Sequence, residues 1–281
     1  MIDATATIRG LTIGAGTDYR WREWPRGLLG TPRIRSADIE RAQAHGMIAG
    51  RDWMGSRAVV FDITVLGSGQ ADGETKLNEL LEAFAPSETD IALDVRISGN
   101  PAEYRMYGRP RGVDDNLGRM TLTGKMRARC EFVATDPLRY STTEQSTSTG
   151  LATSSGGLTF AASAPFVFGT GGSGSTMSCP NDGTFAAPWV ATFTGPLVAP
   201  TLTQVGTGKA LILSGASLAA GETLVVDSKR HTVLLNGTAS RYSWLAAASQ
   251  WFDLLPGANS INLTGASGSG TVSIAWRSAW V

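Results

Sequence analysis

The most regular pattern in the chain runs from Met120 to Ala134. Positions 120, 122, 126, 128, 130, 132 and 134 are apolar, while Arg119, Thr121, Thr123, Lys125, Arg127, Arg129 and Glu131 fill the alternate face. A period of two predicts a half-buried strand. At about 3.3 Å per residue a strand of this length would reach roughly 50 Å, unless Gly124 bulges and splits it. Shorter alternations precede it at Phe61, Ile63 and Val65, then at Ile91, Leu93, Val95 and Ile97, then at Tyr104 and Met106. Between the first two, Leu77, Leu80, Leu81 and Phe84 fall at i, i+3, i+4 and i+7, with Asp72 as a cap and Pro86 beyond the end. That spacing predicts one helix packed on the sheet, so the first half reads as a β-meander around a helix.

After residue 140 the pattern changes to short apolar runs separated by turns. Strands are expected at Trp189 to Thr194, Leu202 to Val205, Ala210 to Leu213, Leu224 to Val226, Thr232 to Leu235, Ile261 to Leu263 and Val272 to Trp276. Gly206-Thr207-Gly208, Asn236-Gly237 and Pro256-Gly257-Ala258-Asn259 supply turn residues, with Asn-Gly tolerating positive φ at both positions. A β-sandwich of jelly-roll type is the economical arrangement. The whole is mainly β.

Charge sharpens the division. Of 48 charged residues, 38 lie in residues 1–140. At the change stands the Ser/Thr/Gly-rich stretch 141–157, read as a linker. Three segments follow: 1–140, the linker 141–157, and 158–281. Lys plus Arg and Asp plus Glu number 24 each, which leaves no net field to recruit nucleic acid or an anionic membrane. Cys130 and Cys179 are the only cysteines, too few for a disulfide framework or a four-ligand metal site. No apolar run is long enough to span a bilayer and no leader pattern opens the chain, so cytoplasmic synthesis without membrane insertion is expected.

Candidate chemistry is sparse. The carboxylates of the second half are Glu144, Asp182, Glu222, Asp227 and Asp253; Glu222 and Asp227, five apart, fall on opposite faces of one regular strand. Asp227 and His231 would approach each other only across a turn. No Gly-x-Ser-x-Gly elbow exists, and Gly169 to Ser175 lacks the Lys and helix of a phosphate loop. No catalytic residue, metal or cofactor is expected. Two other features invite contact with partners. The polar face of the long strand, Arg119, Lys125, Arg127, Arg129 and Glu131, reads as a solvated surface or as a subunit interface, since a long strand can project and pair with a neighbour. Trp244 and Trp251 lie in an irregular segment and read as core, or as a platform for a sugar or a partner.

One ordered set of residues carries a resemblance. Gly221 to Asp227, Arg230 to Gly237, Ser249 to Leu254, Leu255 to Ile261 and Val272 to Arg277 together are similar to the C-terminal part of the siphovirus distal tail protein family. Ala134-Thr135-Asp136-Pro137-Leu138-Arg139-Tyr140 resembles the close of that family's ring-forming domain. The resemblance implies an N-terminal α+β ring-forming domain and a C-terminal galectin-like sandwich. It further implies a homohexameric ring at the tail tip of a long-tailed phage. Its partners would be the tail tube protein, the hub or tail-associated lysin, and receptor-binding proteins, assembled in the host cytoplasm. The alternative is a carbohydrate-binding sandwich that recognises host polysaccharide.

Overall fold

The structure, a computed structural model, describes residues 4–97, 103–116, 123–152 and 175–281. The chain forms two compact units, one running to Thr142 and including Val281, the other from Thr143 to Trp280.

In the first unit, β1 (Ala4–Ile8) and β2 (Leu11–Gly14) make a hairpin, and β3 (Tyr19–Trp21) follows. Residues 33–55 then form an arm of four two-residue strands, β4 (Ile34–Arg35), β5 (Ile39–Glu40), β6 (Met47–Ile48) and β7 (Trp53–Met54). The outer two pair with each other, as do the inner two. The chain continues through β8 (Arg57–Leu66), α1 (Gln70–Ala83), β9 (Ile91–Ile97), β10 (Glu103–Asn116), β11 (Lys125–Ala134) and β12 (Arg139–Ser141). Antiparallel pairing gives the order β2-β1-β9-β10-β11-β8-β3, with β12 added to the start of β10. The run β9-β10-β11 is the expected meander. The helix interrupts it on one side, because α1 carries the chain from β8 past β11 and β10 to reach β9.

Alternation decides which face is buried. Val59, Phe61, Ile63 and Val65 of β8 and Met126, Ala128, Cys130, Phe132 and Ala134 of β11 join Leu77, Leu80 and Phe84 of α1 in one core. Three sequence expectations need correction. Leu81 is exposed: Gly73, Leu77, Leu80 and Ala83 define the buried face of α1, and at 100° per residue position 81 falls past its rim. The strand expected from Met120 starts at Lys125, because Gly124 takes φ 75° in a turn; residues 120–122 lie outside the described residues. The expected cap at Asp72 is also corrected: Gly69 holds the N-cap position without a side-chain cap bond, and Asp72 lies in the first turn, where its Oδ2 accepts the Ser68 N–H at 2.7 Å.

The second unit holds β13 (Gln145–Gly150), β14 (Thr176–Ser178), β15 (Trp189–Thr194), β16 (Leu197–Val198), β17 (Thr201–Gln204), β18 (Ala210–Ile212) and β19 (Ser217–Leu218). After them come β20 (Thr223–Asp227), β21 (Thr232–Leu235), β22 (Ala239–Ser240), β23 (Ser260–Thr264), β24 (Ser267–Gly268) and β25 (Thr271–Trp276). They form a sheet β13-β25-β15-β20-β21-β22, a second sheet β14-β23-β17-β18 and a small one β19-β16-β24. Trp189, Phe193, Leu224, Ile274 and Trp276 from the first sheet and Met177, Leu202, Leu211 and Leu263 from the second are buried, as two inner faces of a β-sandwich require.

The stretch read as a linker is corrected in part. Gln145–Gly150 is an edge strand paired along the whole of β25. Its Ser and Thr residues bury little, so no apolar alternation marked it, and its place comes from backbone hydrogen bonds. Residues 153–157, and the Gly-rich 169–174, lie outside the described residues.

Candidate subunit interface

The polar row of β11 is the outer face of the sheet, opposite α1. Lys125, Arg127, Arg129 and Glu131 are exposed there; Arg119 lies outside the described residues. Pairing with a neighbour through this strand is ruled out by its place in the sheet. β11 is hydrogen-bonded to β8 from Leu66 to Arg57 and to β10 from Gly108 to Asn116, so its described length has no free edge. What remains is a face.

That face is largely balanced within itself. Arg129 stands directly between Asp62 of β8 and Asp114 of β10, cross-strand positions where opposite charges attract. Farther along, Arg105 of β10 grips Asp94 of β9 through two bonds of 2.6 and 2.7 Å, and Arg109 bonds Asp90 at 2.9 Å. The β10 bulge between Pro110 and Gly112 opens a depression of about 390 Å³ bordered by Val60, Asp114, Arg129 and Glu131. Under the face, burial and the nearby Asp62 push the Cys130 thiol up to about 12, which keeps it neutral and unreactive.

A feature that the hydrophobic pattern did not mark is the arm. Every residue from 33 to 53 is exposed, and among them Ile34, Ile39, Met47, Ile48 and Trp53 are each more than half exposed. Ile39 is paired with Ile48 and Ile34 with Met54, so the apolar side chains gather across the ribbon. Arg51 lies 4.6 Å over the Trp53 ring, and Arg35 stands opposite Trp53. The run of large apolar residues between Arg33 and Trp53, with no core period, was the available sequence signal.

The stem of the arm is fixed firmly. Arg26 and Val60 exchange two backbone bonds of 3.1 Å, and Gly27, at φ 76°, packs so close to Ala58 that any side chain there would collide with its carbonyl. Arg57, 2% exposed, donates to Pro137 O, Gly27 O, Leu28 O and Gly30 O. Burial first, and the like charge of Arg139 second, lower this guanidinium to about 10, so it stays charged at neutral pH. Beside the stem an open cleft of about 850 Å³ runs between residues 33–36, residues 54–56 and Thr135.

In the second unit the structure does not bring Trp244 and Trp251 together as one platform. Trp244 carries Arg241 over its ring at 5.4 Å and packs against Gly215, whereas Trp251 stacks on His231 at 4.5 Å. Both are half-buried. Asp227 accepts the N–H groups of Lys229 and Arg230 at 2.9 and 3.0 Å, an ordinary turn, and His231 faces Trp251. Among the described residues no cluster of His, Cys, Asp or Glu suits a metal ion.

The Leu255 to Asn259 turn, part of the ordered set singled out in the sequence, is structural. Asn259 is 5% exposed. It accepts the Leu255 N–H at 3.0 Å and a Gln204 amide N–H at 2.9 Å, and donates to Leu255 O at 2.7 Å and Gly257 O at 3.1 Å. Trp189 Nε1 donates to Phe252 O and Trp276 Nε1 to Pro180 O, so the neighbouring residues of the set also hold irregular backbone in place.

Comparison with known proteins gives these features a context. Residues 182–280 match the family described as siphovirus-type tail component, C-terminal domain. No curated protein matches the chain in sequence. Among solved structures, the chain superposes on the SPP1 Dit protein (gp 19.1) with a TM-score of 0.68 at 16% identity, covering 99% of both chains. That protein is described as a paradigm of the hub adsorption apparatus in phages that infect Gram-positive bacteria. A chain of the phage P2 baseplate in its activated conformation with Ca gives a TM-score of 0.53 at 9% identity, covering 97% of both chains. The resemblance read from the sequence is therefore borne out: residues 182–280 match the siphovirus-type tail component C-terminal domain, and the chain as a whole has the fold of SPP1 Dit.

Proposed function

We propose that this chain is a structural component of a phage tail tip, and that copies of it close into a ring, of six in the reading taken from the family. The ring joins the tail tube to the hub and host-binding apparatus, in line with the adsorption role described for SPP1 Dit. Its work is positional, with no chemical step. The observation that supports this reading most is the arm. A two-stranded ribbon is marginal in water by itself, and residues 33–53 expose five large apolar side chains that the described residues leave uncovered. Covering them on a neighbouring copy resolves both difficulties. The balanced outer face, with Arg127, Arg129 and Glu131, would add register to such contacts and little net attraction.

Mass photometry of the purified chain, alone and with its tail partners, tests the reading. Multiples of the 29.5 kDa protomer up to a closed ring are expected, with Ile39→Asp and Ile48→Asp together shifting the distribution to monomer. A chain that stays monomeric at high concentration even with tail partners present would overturn the ring.

A further inference from the structure

The exposed stripe of α1 has the opposite character from the stem cleft. Glu74, Asn78, Leu81 and Glu82, at i, i+4, i+7 and i+8, share one outward side of the helix, so a half-uncovered leucine sits among carboxylates. Lys76, the single basic residue of α1, lies on another side and is held by Asp18 at 3.0 Å and Asp72 at 2.9 Å. It does not neutralise the stripe, whose nearest described cation is instead Arg9, held at the helix end by Glu82 O at 3.1 Å and Ala85 O at 3.0 Å. The cleft beside the arm is the counterpart: Arg33 and Arg35 line it on the ribbon face that carries Trp53, Arg51 stands nearby over that ring, and Asp38 and Asp52 are the carboxylates in that half of the arm.

The geometry points to the stem cleft of one copy as the receptor for the α1 stripe of a second copy. Leu81 enters beside Trp53, which shares a ribbon face with Arg33 and Arg35, and Glu74 and Glu82 meet those two arginines. The inference rests on the ring reading and names the surface that the arm's base grips. It has a symmetry consequence. Cleft and stripe are different patches of the same chain, so the contact is heterologous, the kind that propagates head to tail and closes into a ring when the rotation allows. A self-complementary patch would stop at a dimer.

Full-length variants provide the test, each checked for native circular dichroism, since every changed side chain is exposed. Glu74→Arg with Glu82→Arg, and separately Arg33→Glu with Arg35→Glu, should each weaken self-association about tenfold or more by mass photometry. Carrying all four changes in one chain restores opposite signs and should recover most of the assembly. As a second measurement, Trp53→Cys with Leu81→Cys should give a ladder of covalent multimers under mild oxidation, because Cys130 and Cys179 are buried and do not compete. A wild-type chain that assembles, while the fourfold variant is no better than the weaker double and no ladder forms, would overturn this contact and leave the ring standing. A wild-type chain that never assembles would remove both.

Discussion

Asp72 shows how one side chain ties the helix to its surroundings. The Ser68 N–H and the Lys76 ammonium both favour its ionised form, and they lower its pKa to about 2 from the usual value near 3.8. A carboxyl depressed in the folded state stabilises above its unfolded pKa, and that contribution is lost as pH falls through the folded one. The window is therefore roughly pH 4 to 2. Amide exchange at the start of α1 should accelerate across that window, and Asp72→Asn should exchange fast throughout with little further response to acid. An Asn variant with the wild-type pH profile would refute this. Arg57 acts on a larger segment. Replacing it with Met leaves the carbonyls of Gly27, Leu28 and Pro137 without their donor, at a cost of about 3 kcal/mol. The loss is read as a lower urea midpoint with unchanged slope. Neither role was legible beforehand in full: Asp72 stood out as an acidic residue before an apolar run, but its bond to the residue ahead of the N-cap did not, and a buried arginine looks like any surface arginine until its acceptors are folded around it.

Among the elements, α1 and the turn before β11 meet backbone to backbone. Gly67 N–H donates to Gly124 O at 2.8 Å, and a Cβ on Gly73 would lie 2.7 Å from that same oxygen. In an exposed helix, Gly→Ala gains up to about 1 kcal/mol from helix propensity. Here Gly73→Ala should instead destabilise by about 2 kcal/mol, because backbone rather than a flexible side chain stands in the way. Thermal unfolding decides the sign, and a raised Tm would refute the account. The sequence made the helix, the central strands and seven of the thirteen described sandwich strands legible, since each of these buries one face and so carries a period. It concealed β13, which is polar on both faces, and the arm, whose two-residue strands are too short to show alternation. It also assigned Leu81 to the core, because i+4 spacing alone does not say where the buried sector ends. The charged row of β11 was legible as a face. That both of its edges were already taken depended on β8 and β10, fixed by long-range pairing that no local pattern reveals.

For the whole molecule, the separation of charge between the two halves becomes a separation of solution behaviour. The first unit carries the arm, the acidic stripe and the ionic outer face, whereas the second is a sandwich held by apolar packing and amide networks around Asn181, Gln204 and Asn259. If arginine contacts hold the copies together, association should weaken as ionic strength rises from about 0.05 to 1 M, where the screening length shrinks to about 3 Å. Light scattering measures this, and salt-strengthened association would instead point to apolar contacts alone. The arm also bears on the order of events. Residues 33–53 are all exposed among the described residues, so in the proposed ring the first pair of copies would steady the arm with only one contact to compensate, and each later copy would add to a surface already formed. Under the proposed ring, assembly would then have a slow nucleation step and a fast completion, and a free pool of subunits would wait until a tail end supplied the seed.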